Sequence, residues 1–519
     1  MENKGMSIRL KFISVLIFFS LGSTWAVISP IGSAPDDDYH LTSIWCVNGV
    51  NNSCNSSDIP GAVLAPRVFV SWPPCFVRWP ISSKSAKCTE EGLPNQLIAT
   101  FKHNGNGTYP NLFYKTMNLF AGDNYYNSII AMRLFNLTFA SVMLFLALVS
   151  AKTNLTKSAL GAWGLVLIPH GIFLIVSTNP HSWTITAISF FWVFIQTIVD
   201  SKEKFSRKNL IPYLGILICL ITALGSRKDS PFYLLVTMLI LFLINAEVRM
   251  FKVLSYKTKS IIFSSLIIIG SFLIYLGSRL TEADLGFSFP SEDVKSKTPD
   301  AFFELLLSIP SAVFSLFGSQ EPIYDQYSGK LLTSFSYGLS WSDFYLPSFS
   351  SNILIVVFFI IVSLNLRLAS IQKIFSLISL FLVYMCIILI TKGSYGNTIE
   401  SYNTIQFQPR YFIPLLLIFT GIALYHKPEV QSEMSKATLI VLSFFAATSY
   451  SVNWLSVFSR FTSGANVPYT DLDFPTEWLP DSLIIGKTEF FILNFILSLF
   501  WALITLYLPN RNLTKNSSN

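Results

Sequence analysis

Hydrophobic and polar positions along this chain fall into long alternating blocks instead of the short periods of a water-soluble fold. Each apolar block is close to the ~20 residues with which a helix crosses a ~30 Å hydrocarbon core. Helix is the required form, because lipid offers no partner to an open backbone amide. The blocks predict helices near 8–29, 126–150, 158–178, 181–200, 209–225, 231–247, 260–278, 351–366, 372–391, 410–426, 436–453 and 488–508, about twelve in all. The expected fold is an all-α polytopic membrane protein, one transmembrane domain over 1–519.

Composition sharpens this picture. The chain is 52% hydrophobic and 13% charged, with a mean hydropathy of +0.52, against about 25% charged in an ordinary soluble domain. That much apolar surface excludes a soluble fold. The net charge of +7 implies no nucleic acid here, since basic residues sit mainly in short loops between apolar blocks, where they set orientation. The first block follows Lys4, Arg9 and Lys11 and resembles a signal peptide. It is long, and its Ile28-Ser29-Pro30 exit lacks a small-x-small site, so it reads as an anchor, with a cleaved leader as the alternative. Both termini are then cytoplasmic in a multi-pass cell-membrane protein. Alternation puts Lys152, Lys157, Lys202, Lys204, Arg207, Lys208, Arg249, Lys252, Lys257, Lys259, Arg367 and Lys373 inside, as the positive-inside rule requires. It leaves segments 30–125, 279–350, 392–409 and 454–487 outside.

Four of the six cysteines, Cys46, Cys54, Cys75 and Cys88, lie in the first external segment, where an oxidising compartment would permit two disulfides. Spacing does not give their connectivity, and four free thiols are the alternative. Cys219 and Cys386 lie inside apolar blocks and read as inert core. No internal repeat is evident. Ala301 to Phe317, interrupted by Pro310, reads as an interfacial helix or as a core helix of the external region.

Candidate chemistry clusters at the outer ends of the blocks. After the first comes Pro35-Asp36-Asp37-Asp38-Tyr39-His40. Carboxylates held beside hydrocarbon are functional candidates, although a solvated acidic turn capping a helix accounts for them too. Tyr109-Pro110-Asn111-Leu112-Phe113-Tyr114 precedes the second block, and Arg133 inside that block needs an anionic partner. Asn179-Pro180-His181 is a tight outer break, and either feature also reads as helix punctuation. Arg227-Lys228-Asp229 breaks the charge rule by placing cations outside; a lipid phosphate would explain them, and so would neutralisation by Asp229. Gln408-Pro409-Arg410-Tyr411-Phe412-Ile413-Pro414 sets another arginine at an outer helix mouth, with snorkelling to the interface as the plain alternative.

Together these stations resemble the bacterial membrane proteins grouped as domain of unknown function 2142, over roughly residues 10–425. The carrying motifs are Pro35-Asp36-Asp37-x-x-His40, Tyr109-Pro110, Asn179-Pro180 and Pro409-Arg410-Tyr411-x-x-Pro414. Where the family usually has Pro-Asp-Glu and Gly-Arg-Tyr, this chain has Pro-Asp-Asp and Pro-Arg-Tyr. That family is similar to the GT-C superfamily of membrane glycosyltransferases. The resemblance implies a GT-C-like fold; the external loops are expected to contain short helices, and the cysteine-bearing insertion in the first, expected to be disulfide-linked, takes no role from the family. The resemblance also implies transfer of a sugar from a polyprenyl-phosphate carrier to a glycan, lipid or protein acceptor on the external face. On that reading Asp36 is the base, Asp37 assists it or holds a divalent cation such as magnesium or manganese, and His40 orients. Arg227, Lys228 and Arg410 meet the lipid phosphate, with Tyr109, Arg133, His181 and Tyr411 around the substrate. No Gly-rich phosphate loop or strand–helix alternation points to a nucleotide sugar.

Two other classes compete. A polysaccharide polymerase or ligase would show arginines without an acid pair at the first exit. A transporter or flippase of lipid-linked saccharides would show two similar halves and polar, broken helices at mid-membrane.

Overall fold

The computed structural model describes residues 6–49, 54–70, 74–76, 84–91, 95–245, 338–339, 344–367, 369–392, 409–426, 434–464, 468–471 and 486–507. The helix expected near 260–278, the stretch Ala301 to Phe317, most of 279–350 and the side chain of Cys386 lie outside them. The bundle is built from α1 (Ile8–Ile28), α5 (Tyr125–Ser150), α6 (Thr153–Val166), α8 (His181–Val199), α9 (Leu210–Ser226) and α10 (Ser230–Asn245). Helices Ser348–Leu366, Ile371–Lys392, Ile413–Leu424, Lys436–Ser463 and Lys487–Ala502 complete it. Seven of the described helices are long and apolar enough to cross a membrane, and four shorter apolar helices accompany them.

Helix starts follow capping chemistry. Ser7, Asn124 and Ser435 each accept a backbone N–H of the first turn, from Leu10, Asn127 and Thr438. Within the helices, serine and threonine hydroxyls turn back onto carbonyls one turn earlier, as Ser14 does to Leu10 and Thr186 to Ser182. That habit lets polar residues lie in hydrocarbon with their donors satisfied. On α9 the inside-out distribution is plain. Leu210, Leu214, Leu217, Ile221 and Leu224 face outward, whereas Gly215, Cys219, Thr222, Ala223 and Ser226 are buried. Large apolar groups outside and small or polar groups inside suit a solvent of lipid. The α1–α5 contact is close: a Cβ on Gly22 would collide with the Leu137 side chain.

Polar contacts gather at the two ends of the bundle. At one end, Lys11 Nζ donates to the Leu148 carbonyl and Lys152 Nζ to that of Asp200. There too Lys373 Nζ caps the carbonyls of Ala423 and Tyr425 at 2.6 and 2.8 Å, and Asp200 accepts from Tyr425 Oη at 2.7 Å. Lysines at exposed helix C-termini neutralise the negative end of the helix dipole. The opposite end carries the acidic turn after α1 and the rest of the segment between α1 and α5.

That segment holds more structure than its hydropathy suggests. It contains α2 (Asp37–Cys46), the single helical turn α3 (Arg67–Val70) and α4 (Asn111–Asn118). A three-stranded antiparallel sheet joins them, in which β2 (Val63–Pro66) pairs with both β1 (Asn55–Ser56) and β3 (Leu97–Thr100). Disulfides link Cys46 to Cys54 and Cys75 to Cys88. Arg460 ties the second of these loops to the bundle by donating to the carbonyls of Phe76 and Lys84. This contact explains one departure from the sequence expectation. The helix expected at 436–453 continues to Ser463 because Asn453, Ser456, Ser459 and Arg460 are buried against neighbours instead of facing water. A second departure is the block near 158–178. It runs as α6, then an irregular turn at Leu167–Gly171 with a cis Ile168–Pro169 bond, then α7 (Ile172–Ile175).

Candidate functional site

The chain leaves α1 through Ser29 and Pro30, turns at Gly32 (φ 79°), and enters α2 through Asp36. Asp36 has φ 61° and ψ 20° and is the only non-glycine residue with positive φ among the described residues. Asp and Asn tolerate this left-handed region better than other side chains, yet it still costs about 1–3 kcal/mol and persists only where surroundings enforce it. The surroundings here are explicit. Asp37 Oδ2 accepts from the Ala34 amide at 3.0 Å, and the Asp36 carbonyl accepts from the amides of Tyr39 and His40.

The tight break between α7 and α8 clamps this turn. Thr178 Oγ1 donates to Asp37 Oδ1, and Asn179 Nδ2 donates to the Pro35 carbonyl at 2.9 Å. His181 Nε2 donates to the carbonyl of Arg410, also at 2.9 Å. A four-residue stretch therefore holds the acidic turn and the Pro409–Phe412 turn against each other, although 374 positions separate Asp36 from Arg410 in the chain. Asn179 also accepts the His181 amide at 2.9 Å. Asn179→Ala strands a buried carbonyl and a buried amide, and is expected to cost about 1–3 kcal/mol. A drop in thermal unfolding midpoint in detergent checks this, and an unchanged midpoint contradicts it.

The result of this clamping is an ion pair. Arg410 Nη2 lies 2.6 Å from Asp36 Oδ2 and 3.2 Å from Tyr411 Oη. The Arg410 side chain is 6% accessible, whereas that of Asp36 keeps 42%, so the carboxylate faces an opening and its partner lies behind it. Crowding by protein atoms would raise the Asp36 pKa, but Arg410 and Arg227 outweigh it, and the carboxyl sits below its ordinary range. His40, one turn along α2 and fully buried, is pushed down to about 3 by burial and is neutral. Its Nδ1 meets Tyr114 Oη at 2.9 Å, and its Nε2 has no hydrogen-bond partner among the described residues.

Arg227 is held differently. Its guanidinium meets Asp229 in two parallel bonds, at 2.9 and 3.0 Å, with both side chains buried. It lies 5.6 Å from the ring centroid of Tyr109 and 5.2 Å from that of Tyr411, in cation–π range. Arg410 lies 5.1 Å from the same Tyr411 ring, so one tyrosine stands between two guanidinium groups. Tyr109, pushed up to about 12 by burial, packs on His40 and Tyr39. Tyr233 Oη fixes the backbone by donating to the Tyr411 carbonyl at 2.8 Å. The geometry thus brings Asp36, His40, Tyr109, His181, Arg227, Arg410 and Tyr411 together.

Three residues proposed from sequence sit differently. Asp37 has no accessible surface and is engaged by Thr178 and the Ala34 amide, so it holds the turn instead of standing beside Asp36 as an open second acid. Arg133 grips the carbonyls of Ala26, Ser29 and Pro30 and acts electrostatically on Asp37, anchoring the α1 exit. Arg227 is neutralised by Asp229, and Lys228 is exposed in the same turn. Asp38, next along, pairs with Lys102. Among the described residues no three His, Cys, Asp or Glu side chains group as metal ligands. Sequence reasoning missed Thr178 and Tyr233, which carry no local signal, and gave Tyr114 no role of its own; neutralisation by Asp229, one of its two readings of the 227–229 turn, is what holds Arg227.

The Asp37 carboxyl has a pH consequence. Burial raises its pKa to about 6, the Arg133, Thr178 and Ala34 contacts offsetting only part. The folded state therefore binds a proton that the unfolded chain releases near 3.9, and stability from this group is present at low pH and lost as pH rises through about 6. Relative to Asp37→Asn, the wild-type unfolding midpoint is expected to rise as pH falls from 7 towards 4.5. A constant difference between the two would contradict this.

Fold and site define a class: a polytopic helical membrane protein with a cluster of charged and aromatic side chains at one end of its bundle. The chain belongs to the family described as "Predicted membrane protein (DUF2142)", which matches residues 18–419 and so takes in every station from Asp36 to Tyr411. No curated protein and no solved structure matches it.

Proposed function

We propose that this protein is a GT-C-like glycosyltransferase of about twelve transmembrane helices. On this reading it transfers a sugar from a polyprenyl-phosphate carrier to a glycan, lipid or protein acceptor on the outer face of the cell membrane, both termini being cytoplasmic. The observation that carries the reading is the Asp36–Arg410 pair, an accessible carboxylate fixed beside a buried guanidinium at the end of the bundle. The first external segment, with its two disulfides, lies at that same end, which supports an oxidising, external location. Grouping of Lys11, Lys152 and Lys373 at the opposite end supports a cytoplasmic side there.

The reaction needs two things of the site. The acceptor hydroxyl oxygen attacks the anomeric carbon in line while the bond from that carbon to the phosphate oxygen breaks. The bonding pair leaves with the phosphate, and the hydroxyl proton passes to Asp36 and then to water, with inversion. Asp36 is the base in this scheme. Arg410 stabilises the phosphate as its charge grows, and exposed Lys228 adds long-range attraction for the anionic carrier. Asp37 and Arg133 keep the turn in shape. Tyr109 presents a hydrogen-bonding edge to the sugar, buried neutral His40 orients the turn through Tyr114, and His181 and Tyr411 hold Arg410. A divalent cation such as magnesium, were one used, would be held by the Asp36 carboxylate and would supply charge to neutralise the leaving phosphate.

The test is direct. Purified protein in proteoliposomes is given polyprenyl-phosphate sugars and acceptor glycans, and release of free polyprenyl phosphate is followed. Turnover above that of empty liposomes is expected; none with any common hexose or pentose donor would overturn the reading.

A further inference from the structure

A phosphate-binding site needs an uncommitted positive charge, and among the described residues both arginines of this cluster are committed to carboxylates. Two guanidinium groups face two carboxylates: Arg227 is closed by Asp229, and Arg410 is paired with Asp36. The two pairs differ in how readily they open. Arg227 and Asp229 are 4% and 3% accessible and joined by two bonds, so parting them would leave a buried charge alone, which is strongly disfavoured. Asp36 is 42% accessible and meets Arg410 through one guanidinium nitrogen, so its carboxylate can move into water as another anion takes its place. Its left-handed backbone adds strain on the side of the pair that would move.

Resting on the proposed transferase reading, we infer that the donor's lipid phosphate binds by partner exchange: it takes Arg410 from Asp36, and the released Asp36 carboxylate is then available to the acceptor hydroxyl. The exchange keeps the charge count of the cluster sensible, because a phosphate arriving without it would sit beside an ionised carboxylate. It also orders the reaction. Before donor arrives, Arg410 holds Asp36 as a weak base. Once phosphate takes Arg410, Asp36 loses the cation that most lowers its basicity, and that basicity rises. Arg227 stays on Asp229, Asp38 on Lys102, and Asp37 on Thr178 beside Arg133, while neutral His40 and Tyr109 keep their packing.

The exchange makes an unusual demand: removing a negative charge that is also the proposed base must tighten donor-carrier binding. Full-length protein in nanodiscs is titrated with a short-chain polyprenyl phosphate carrying no sugar, and with the matching polyprenol. Asp36→Asn, which keeps shape and removes charge, is expected to bind polyprenyl phosphate about tenfold more tightly than wild type, equivalent to 1.4 kcal/mol. Asp36→Glu is expected to bind no more tightly than wild type, and polyprenol is expected to show no gain in any variant. If wild type binds polyprenyl phosphate and Asp36→Asn binds it equally or less well, the exchange is wrong while the transferase reading stands. If neither binds it, the lipid-phosphate donor itself is wrong, and both fall together.

Discussion

Asp36→Asn is expected to slow sugar transfer by about 10²–10⁴-fold, the range over which a positioned general base contributes. Asparagine is the informative replacement because it tolerates the left-handed conformation that Asp36 occupies, at φ 61°. Its amide oxygen still accepts from Arg410, so folding and membrane insertion should survive. What it removes is proton-accepting capacity and charge. Rates of polyprenyl phosphate release at saturating donor and acceptor check the prediction, with unfolding midpoints run in parallel. A variant that folds and turns over like wild type would mean that the acid turn is only a helix start.

Arg410→Gln is the second large expectation, a loss of about 10²–10³-fold in kcat, as when one preorganised donor to a developing anion is removed. The loss should fall on kcat more than on KM for the acceptor. The pH dependence moves as well, and its sign follows from the ion pair. Asp36 works as a carboxylate, and Arg410 keeps it below its usual range against the effect of burial. Without the guanidinium, burial prevails, the carboxyl protonates at higher pH, and the acid limb of the rate profile shifts upward. An acid limb that stays where wild type has it would show that the pair does not govern the reactive carboxyl. Arg410→Lys is expected to retain part of the rate, because an ammonium supplies charge without the planar fork that reaches both Asp36 and Tyr411.

How far the sequence foretells this arrangement depends on length scale. Apolar blocks near twenty residues are legible because lipid must be crossed by unbroken helix, and the described helices sit where those blocks lie. Helix ends are less legible. Lys436–Ser463 runs ten residues past its expected end because Arg460 and its polar neighbours find partners in a distant loop, which no local pattern reveals. Short elements escape altogether: strands of two to four residues and the eight-residue α4 are too brief for periodicity to register. At the site, residue types at block ends singled out Asp36 and Arg410, since charge beside hydrocarbon is costly. Their contact was not readable, because the Thr178–His181 clamp that produces it joins three remote stretches of chain. Nor could sequence divide roles between neighbours. Asp36 and Asp37 are adjacent carboxylates, yet one is accessible and the other has no accessible surface.

The measurement that bears most directly on Asp36 and Arg410 as one reactive unit is a double-mutant cycle on transfer rate, using Asp36→Asn, Arg410→Gln and the combination. Groups that act together lose their joint contribution when either is removed. The double variant is therefore predicted to be about as slow as the slower single variant. Losses that multiply across the cycle would contradict this, because they would mean that the two residues, although 2.6 Å apart, serve the reaction independently.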